Sequence, residues 1–300
     1  MVHASQWPFR SKRLAPAALV LFLVLPCVAQ STHFSEADLP ALLKRMQINM
    51  TANERLAQQF TSDERWRNRT SFKEGSWGSD HTARFENMFV EGLPYRRKVE
   101  AGGKPLSAEE AAAEQKRLDQ TAAERRAMTL EEKKKLFHWD YHSSLPLCCL
   151  ATLFENRIVR QEEIGGREVV VVESQAMSNA KPATAEEKSS VDWKETTWID
   201  LEDAMPSRVE AELLKGQEHF EKGMTVHIDF VRWAGPAATK GAAPQGVWLQ
   251  GYSVSHFRFW TPLNKGFGIT EKTWSNFKRF QVDVRLLEEP VEEMPVAKTH

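Results

Sequence analysis

The residues best suited to chemistry lie in a short segment rich in histidine and cysteine near the middle of the chain. His138 and His142 are four residues apart, which places two imidazoles on one side of a helix, and Cys148 and Cys149 follow closely. Imidazole and thiolate are ligands for zinc or copper. Against a metal site, the spacing matches no standard ligand pattern and Pro146 intervenes. The other interpretation is a helix end with polar histidines, followed by two small residues that enter a strand.

Motifs for a catalytic nucleophile or a bound nucleotide are absent from the sequence. The chain contains no G-x-S-x-G, no H-E-x-x-H and no P-loop. Its acidic residues mostly alternate with apolar ones, which is typical of the solvated face of strands. We therefore predict a non-catalytic protein that needs no cofactor. A secreted metal-dependent enzyme that uses the segment 138–149 is kept as an alternative.

The N-terminus has the layout of a secretory signal. Three basic residues between positions 10 and 13 precede an apolar run over 14–25, and small residues before Gln30 offer a cleavage site. An apolar run of about 12 residues is too short for a permanent bilayer anchor. Cys27 would suit a lipoprotein signal, but the preceding Pro26 fits a lipobox badly. We therefore expect residues 1–29 to be removed and the mature chain to work outside the cytoplasm.

The composition of the rest of the chain indicates a sheet protein without a nucleic-acid partner. The formal net charge is -1, from 40 basic and 41 acidic residues, so no electrostatic footprint for nucleic acid is present. The chain has 10 Trp and 16 Phe but only 3 Tyr. Aromatic side chains favour pleated, half-buried surfaces, and this content therefore predicts a large sheet with one apolar face.

Helical patterns occur at the start of the mature chain and in one insertion. Over Ser35–Phe60, apolar residues repeat at helical spacing, beginning with Leu39, Leu42, Leu43 and Met46. The insertion 107–138 contains two capping boxes, each with a hydroxyl residue three places before a glutamate. Its longer helix has only a thin apolar stripe, so we expect it to lie on the surface as a flap.

Alternating patterns indicate strands over most of the remaining chain, apart from a polar loop expected at Lys181–Ser190. The fold class we predict is α+β: a wide antiparallel meander of about ten strands that curls into an unclosed β-barrel. The N-terminal helix and the helical insert would serve as its lid. We assign 30–288 to this single domain and 289–300 to a disordered tail.

Three stretches spread over the mature chain resemble a known family. They are Gly92–Val99 with Gly103–Ser107, then Thr197–Asp200, and Thr273–Phe280. The sequence is similar to the LolA/LolB-like periplasmic lipoprotein carriers, and most similar to a group of secreted LolA-like proteins common in Acidobacteria. This resemblance implies an unclosed barrel whose helices cover an apolar cavity for lipoprotein acyl chains. It also implies secretion across the inner membrane, to the periplasm or the outer membrane, and it implies no catalytic motif.

The resemblance predicts a protein that binds a lipid, a lipoprotein acyl chain or another amphiphile. We chose large apolar residues on predicted strands as candidates for the cavity wall: Trp66, Phe72, Phe89, Trp198, Phe230, Trp248, Phe257 and Phe280. The alternative is a module that binds or senses another envelope protein through its sheet edge or its insert. Basic runs at Arg96–Lys98 and Lys133–Lys135 would suit peripheral contact with anionic headgroups, although a solvated surface is the simpler interpretation.

Overall fold

The computed structural model describes residues 34–73, 76–133, 136, 147, 149–217, 220–234, 246–260 and 264–279. The predicted signal segment 1–29 and the predicted tail 289–300 lie outside these ranges. His138, His142 and Cys148 of the candidate metal segment also lie outside them, whereas Cys149 is described and buried.

Within the described ranges, eleven antiparallel strands form one sheet. In chain order they are β1 (Phe60–Ser71), β2 (Ser79–Val90), β3 (Leu93–Ala101), β4 (Lys104–Pro105), β5 (Phe154–Ile164), β6 (Arg167–Ala176), β7 (Trp193–Asp200), β8 (Met205–Leu213), β9 (Thr225–Trp233), β10 (Val247–Trp260) and β11 (Lys265–Arg279). Their order across the sheet is β4-β3-β2-β1-β11-β10-β9-β8-β7-β6-β5. Because β4 and β5 are the two edges, the barrel is unclosed. The predicted fold class is confirmed, with eleven strands instead of about ten.

Glycine pairs form the tight hairpins that set the strand order. Gly102 and Gly103 join β3 to β4 with φ angles of 59° and 75°, and Gly165 and Gly166 join β5 to β6 with φ angles of 59° and 80°. A two-residue hairpin of this kind requires positive φ at both positions, which glycine adopts without a steric penalty. The positive φ angles explain why the sequence has Gly-Gly between the strands of these two hairpins.

The N-terminal helix, α1 (Leu39–Ala57), lies across one face of the sheet. Its buried stripe is Leu39, Leu42, Leu43 and Met46, each at most 4 % exposed. These side chains belong to one apolar core with Val170, Val172, Ile199 and Val209 of β6 to β8, and we call the face that carries these four residues the inner face. Burying four such side chains contributes an upper bound of about 6–12 kcal/mol. The sequence predicted that this helix extends to Phe60. It ends at Ala57 instead, because Phe60 begins β1.

Both faces of the sheet are buried at β6. Val169–Val172 are each at most 1 % exposed, and alternate members point to opposite faces. On the outer face, Val169 and Val171 cluster with Trp198. The Trp198 indole Nε1 donates a hydrogen bond of 2.6 Å to Glu162. This part of the sheet is therefore packed on both sides, which matches the unbroken Val-Val-Val-Val run in the sequence.

The insert helix, α2 (Ala108–Ala127), is anchored along the edge of β3. The expected capping box is present, with Ser107 accepting from the Glu110 N–H. Beyond it, β4 pairs with β3 only at Glu100 and Ala101, so most of the β3 edge is open to other partners. Side chains of α2 form hydrogen bonds with the backbone of that edge. An exposed strand edge is a template for aggregation, and α2 protects this one.

Two further short helices are α3 (Leu150–Leu153) and α4 (Ala185–Ser190), and a 3-10 turn, Glu36–Asp38, precedes α1. The prediction of a polar loop over Lys181–Ser190 was wrong for its second half, which forms the helix α4. Thr184 accepts from the Glu187 N–H, and the Glu187 carboxylate accepts from the Thr184 N–H, which is a capping box that starts α4. Within the described ranges, no helix is long and apolar enough to cross a bilayer.

Candidate functional site: a cavity beside the sheet edge

A partly open cavity of about 580 Å³ lies between α2, the end of α1 and the first strands of the sheet. Its lining comes from the end of α1 and the following turn (Ala57, Gln58), β1 (Phe60), β2 (Asn87, Met88, Phe89), β3 (Pro94, Tyr95, Arg96), α2 (Arg117, Thr121, Arg125) and β11 (Trp274). Ligand sites in proteins have volumes of about 300–1,000 Å³ and are mostly apolar with a few placed polar groups. This cavity has both properties.

The cavity exists because α1 covers only part of the sheet. The pairing of β10 with β11 ends at Tyr252 and Thr273, so the two strands separate beyond that point. The C-terminal end of α1 meets an apolar cluster there, built on Phe60, Val247 and Leu249. Two residues of this cluster, Phe60 and Ala57, also line the cavity. The β1–β3 half of the sheet thus keeps open space, whereas the β6–β8 half is filled by the core under α1.

Arg96 and the buried Glu64 form the polar pair on the sheet side of the cavity. The Arg96 Nε and Nη2 donate to the Glu64 carboxylate at 2.8 and 2.5 Å, and Glu64 is only 3 % exposed. The guanidinium also lies 3.4 Å from the centre of the Phe85 ring. These contacts fix the plane of the guanidinium and leave its Nη1 without a hydrogen bond in the described part of the chain.

Arg117 provides a second guanidinium from the α2 side. Its Nε and Nη2 donate to Glu114 at 3.0 and 2.7 Å, and Nη2 also donates to the Arg96 carbonyl at 2.8 Å. Nη1 of Arg117, like that of Arg96, makes no hydrogen bond with any described residue. Both side chains line the cavity and are half-exposed, at 53 % for Arg117 and 41 % for Arg96, so both guanidinium groups are accessible to solvent.

Glu114 ties α2 to the sheet edge. Its carboxylate accepts from the Tyr95 hydroxyl at 3.0 Å and from the Lys98 backbone N–H at 3.2 Å, in addition to Arg117. Burial raises the pKa of the Glu114 carboxyl, but the bonds from Arg117, Tyr95 and Lys98 lower it more, so the net pKa lies below the ordinary value. Burial and the bond to Glu114 raise the pKa of the Tyr95 hydroxyl.

Loss of this anchor in acid is a testable consequence of the lowered pKa. A carboxyl whose folded pKa is depressed stabilises the fold above its unfolded pKa, near 4.3, and loses that contribution as the pH falls through the folded value. We expect amide-exchange protection of residues 108–127 to fall as the pH is lowered below about 4. In the Glu114→Gln variant, the protection of these residues should not show this fall at low pH. An identical pH dependence in both proteins would contradict the assignment.

Arg125 and Gln58 complete the polar lining. The buried Arg125 donates to the carbonyls of Val90, Leu93 and Pro94 at 3.3, 2.9 and 2.8 Å. These three bonds join α2 to the end of β2 and the start of β3. Gln58 is 8 % exposed, and its Oε1 has no hydrogen-bond partner within the described residues. The cavity therefore offers one buried acceptor besides its cations.

The residues predicted for a cavity wall are distributed over several places. Phe89 lines the cavity. By strand register, Trp66, Phe230, Trp248 and Phe257 lie on the inner face, and Phe230 packs against the core under α1. Phe72 is 59 % exposed beyond the end of β1, Trp198 is buried on the outer face, and Phe280 lies outside the described residues.

The residues that sequence reasoning missed are mainly polar. Arg96 was interpreted only as part of a basic surface run, and Arg117, Arg125 and Gln58 were not considered. A signal existed for the arginines: α2 has almost no apolar stripe, so its attachment had to come from polar contacts. The partners of those contacts are backbone groups of an edge strand, and a side-chain pattern does not reveal them.

A second, polar groove of about 340 Å³ lies on the outer face over β7 to β10. Within it His227 contacts Glu210 at 3.3 Å and Asp229 at 2.9 Å. No group of three or more His, Cys, Asp or Glu residues in the described ranges is arranged to hold a metal ion. The lining of this groove is mainly polar and charged, with Ala211, Val226 and Val254 as its apolar members. It has no aromatic lining residue apart from its histidines, so the cavity beside α2 is the better candidate site.

Comparison with known proteins gives structural likeness only. No protein-family model and no curated protein matches the chain. Among solved structures, the chain is similar to a LolA superfamily protein from Nitrosomonas europaea, with 8% identity, TM-score 0.29 and coverage of 83% of this chain and 96% of that one.

A putative outer membrane lipoprotein-sorting protein domain from Vibrio parahaemolyticus has 14% identity, TM-score 0.31 and coverage of 79% of this chain and 93% of that one. For the MucA/MucB complex of Pseudomonas aeruginosa the identity is 11%, the TM-score 0.22 and the coverage 82% and 100%. Since these TM-scores are low, the fold assignment rests on the sheet order and any functional conclusion rests on the cavity.

Proposed function

We propose that this protein is a non-catalytic carrier of the cell envelope that binds one anionic amphiphile in the cavity beside α2. The observation that carries the proposal is the composition of this cavity. An apolar floor and two guanidinium groups with an unused Nη1 donor share one space of about 580 Å³. A free acyl chain with an acidic head, or the acyl group of an acidic lipid, has the matching chemistry.

The apolar part of the ligand would lie along Phe60, Phe89, Pro94 and Trp274, which share one face of the sheet by strand register. Burial of a methylene group contributes about 0.8 kcal/mol, so ten methylenes give about 8 kcal/mol before the costs of ordering. That free energy corresponds to at best micromolar affinity. Binding of this strength holds a water-insoluble cargo between membranes and still allows its release.

The acidic head would lie at the mouth, between Arg96 and Arg117. Charge-assisted hydrogen bonds from guanidinium to carboxylate or phosphate are about twice as strong as neutral ones. Both guanidinium groups are already oriented by Glu64 and Glu114, so little side-chain entropy is lost when a head group binds. This arrangement favours an acid over an alcohol or an ester with the same chain.

Entry of the ligand would use the polar attachment of α2. Arg125 is the buried residue of this helix. The other α2 side chains reach β3 through the hydrogen bonds of Glu114 and Arg117 and through the Arg117 guanidinium, which lies over the Tyr95 ring. Water can replace such contacts at low net cost, whereas it cannot replace a buried apolar interface. Opening of α2 along the β3 edge would then admit the ligand from the side. Secretion across the inner membrane, as the N-terminal sequence predicts, would place this carrier in the periplasm or at the outer membrane.

Displacement of a fluorescent fatty acid from the purified protein tests the proposal. We expect hexadecanoic acid to displace the probe with micromolar affinity and hexadecanol to be at least tenfold weaker. The double variant Arg96→Gln/Arg117→Gln should bind both compounds equally. Absence of saturable probe binding would overturn the carrier function. Equal affinity of the unaltered protein for acid and alcohol would overturn the assignment of the head-group site.

A further inference from the structure

The end of the sheet far from the cavity carries a cluster of aromatic side chains. We call it the aromatic tip and define it by Phe72, Trp77, Phe220, Phe257, Phe259 and Phe267. Strand β1 starts at the cavity residue Phe60 and ends just before Phe72. At about 3.3 Å per residue, the strand separates the two sites by roughly 40 Å. The aromatic tip is therefore not part of the cavity.

The rings of the aromatic tip are packed against one another. Centroid distances are 5.5 Å for Phe72–Phe259, 5.7 Å for Phe220–Phe257 and 5.3 Å for Trp77–Phe267. Such edge-to-face and tilted pairs stabilise an aromatic cluster by about 0.5–1.5 kcal/mol each. The cluster is thus an ordered feature of the fold.

Two glycines of β11 make room for this arrangement. Gly266 and Gly268 are the cross-strand partners of Phe259 and Phe257. A Cβ atom added at either glycine would meet the facing phenyl ring at 2.5 or 2.4 Å. The two rings therefore lie over bare backbone, and a side chain at either glycine would have to displace the ring that covers it.

The aromatic tip is exposed on both faces of the sheet end. Phe72, Trp77 and Phe220 are 59 %, 42 % and 39 % exposed. Phe259 points to the inner face, whereas Phe267, the partner of Arg258, points to the outer face. Contiguous exposed aromatic surface of this kind is rare in soluble proteins and marks an interaction site.

Cations surround the aromatic tip. Lys73, Lys222 and Arg258 are exposed, and no described carboxylate forms an ion pair with any of them. The neighbouring Lys265 pairs with Glu221, and Arg69 pairs with Glu271 while its guanidinium lies 4.7 Å from the Trp77 ring. Of the described residues named here, five are basic and two are acidic.

We propose that the aromatic tip is a docking site for an anionic bilayer surface. Phe and Trp side chains partition into the region between headgroups and acyl chains, and nearby Lys and Arg interact with anionic lipids. Aromatic residues on both faces of one sheet end suit insertion end-on into a bilayer. A groove for a peptide would instead place its apolar residues on one face. The protein thus contacts a membrane with the end of the sheet opposite its cavity.

Vesicle sedimentation and tryptophan quenching by brominated lipids test the docking site on the purified protein. Vesicles of phosphatidylcholine with phosphatidylglycerol are compared with vesicles of phosphatidylcholine alone. We expect binding to the mixed vesicles and quenching of tryptophan fluorescence. The variant Phe72→Ser/Phe220→Ser should bind at least tenfold more weakly. Each of Lys73→Gln, Lys222→Gln and Arg258→Gln should reduce binding about fivefold.

The matched control is Ile48→Ser/Val159→Ser, which removes two apolar side chains that are 60 % and 45 % exposed elsewhere on the surface. It should leave vesicle binding unchanged. Three results would overturn the proposal: no binding to mixed vesicles, equal loss of binding in the control, or a dimer in solution that Phe72→Ser/Phe220→Ser abolishes. The last result would assign the aromatic tip to a second copy of the chain. None of these outcomes depends on ligand binding in the cavity.

Discussion

Replacement of Arg125 by alanine should detach α2 from the sheet. The buried guanidinium donates to three backbone carbonyls, at Val90, Leu93 and Pro94. Hydrogen bonds from a charged donor contribute about 1.5–3 kcal/mol each, and water can replace part of them at a strand edge, so we expect a loss of about 3 kcal/mol in the free energy of unfolding. Urea denaturation measures the loss, and amide exchange should show that protection falls first over residues 108–127.

The adjacent residue provides the control. Arg126 is 69 % exposed and pairs with Glu91 at 2.8 Å. Exposed ion pairs contribute about 0–1 kcal/mol, and Arg126→Ala should therefore change the free energy of unfolding by less than 1 kcal/mol. Equal destabilisation by the two substitutions would mean that α2 is not held at the β3 edge by Arg125.

Filling the cavity from α2 should abolish ligand binding while the fold is retained. Thr121 lines the cavity and is only partly buried, so tryptophan at this position would project into the open space without displacing a core residue. Threonine and tryptophan have similar helix propensities. For Thr121→Trp we expect affinity for the fluorescent fatty acid to fall at least tenfold, with little change in the midpoint of urea denaturation.

Ala123→Trp is the matched control for this variant. Ala123 lies two residues away on the same helix, is exposed and does not line the cavity. Tryptophan there should leave binding of the fatty acid unchanged. Unaltered binding in Thr121→Trp, or equal loss in both variants, would place the ligand outside this cavity.

The helix–sheet core could be predicted from the sequence because its signals are periodic. The stripe of Leu39, Leu42, Leu43 and Met46 predicted the buried side of α1, and alternation with Gly-Gly turns predicted the antiparallel meander. Each of these signals is local, and burial of apolar surface then enforces it.

The cavity could not be predicted in the same way, because its position depends on which part of the sheet the helices leave uncovered. Trp198 and Phe89 are both large apolar residues on strands, yet Trp198 packs on the outer face beside Glu162 and Phe89 lines the cavity. Strand alternation leaves open which face a helix covers. Two features of the fold determine which residues line the cavity. They are the part of the sheet that α1 covers and the hydrogen bonds by which Arg125 holds α2 at the β3 edge.

Photo-crosslinking with a diazirine-bearing fatty acid, followed by mass spectrometry of the labelled peptides, locates the ligand directly. If the ligand lies beside α2, the labels map to residues 87–96 of β2 and β3 and to residues 117–125 of α2, and excess hexadecanoic acid removes them. Labels confined to the aromatic tip or to the face under α1, or labels that excess fatty acid does not remove, would contradict the account.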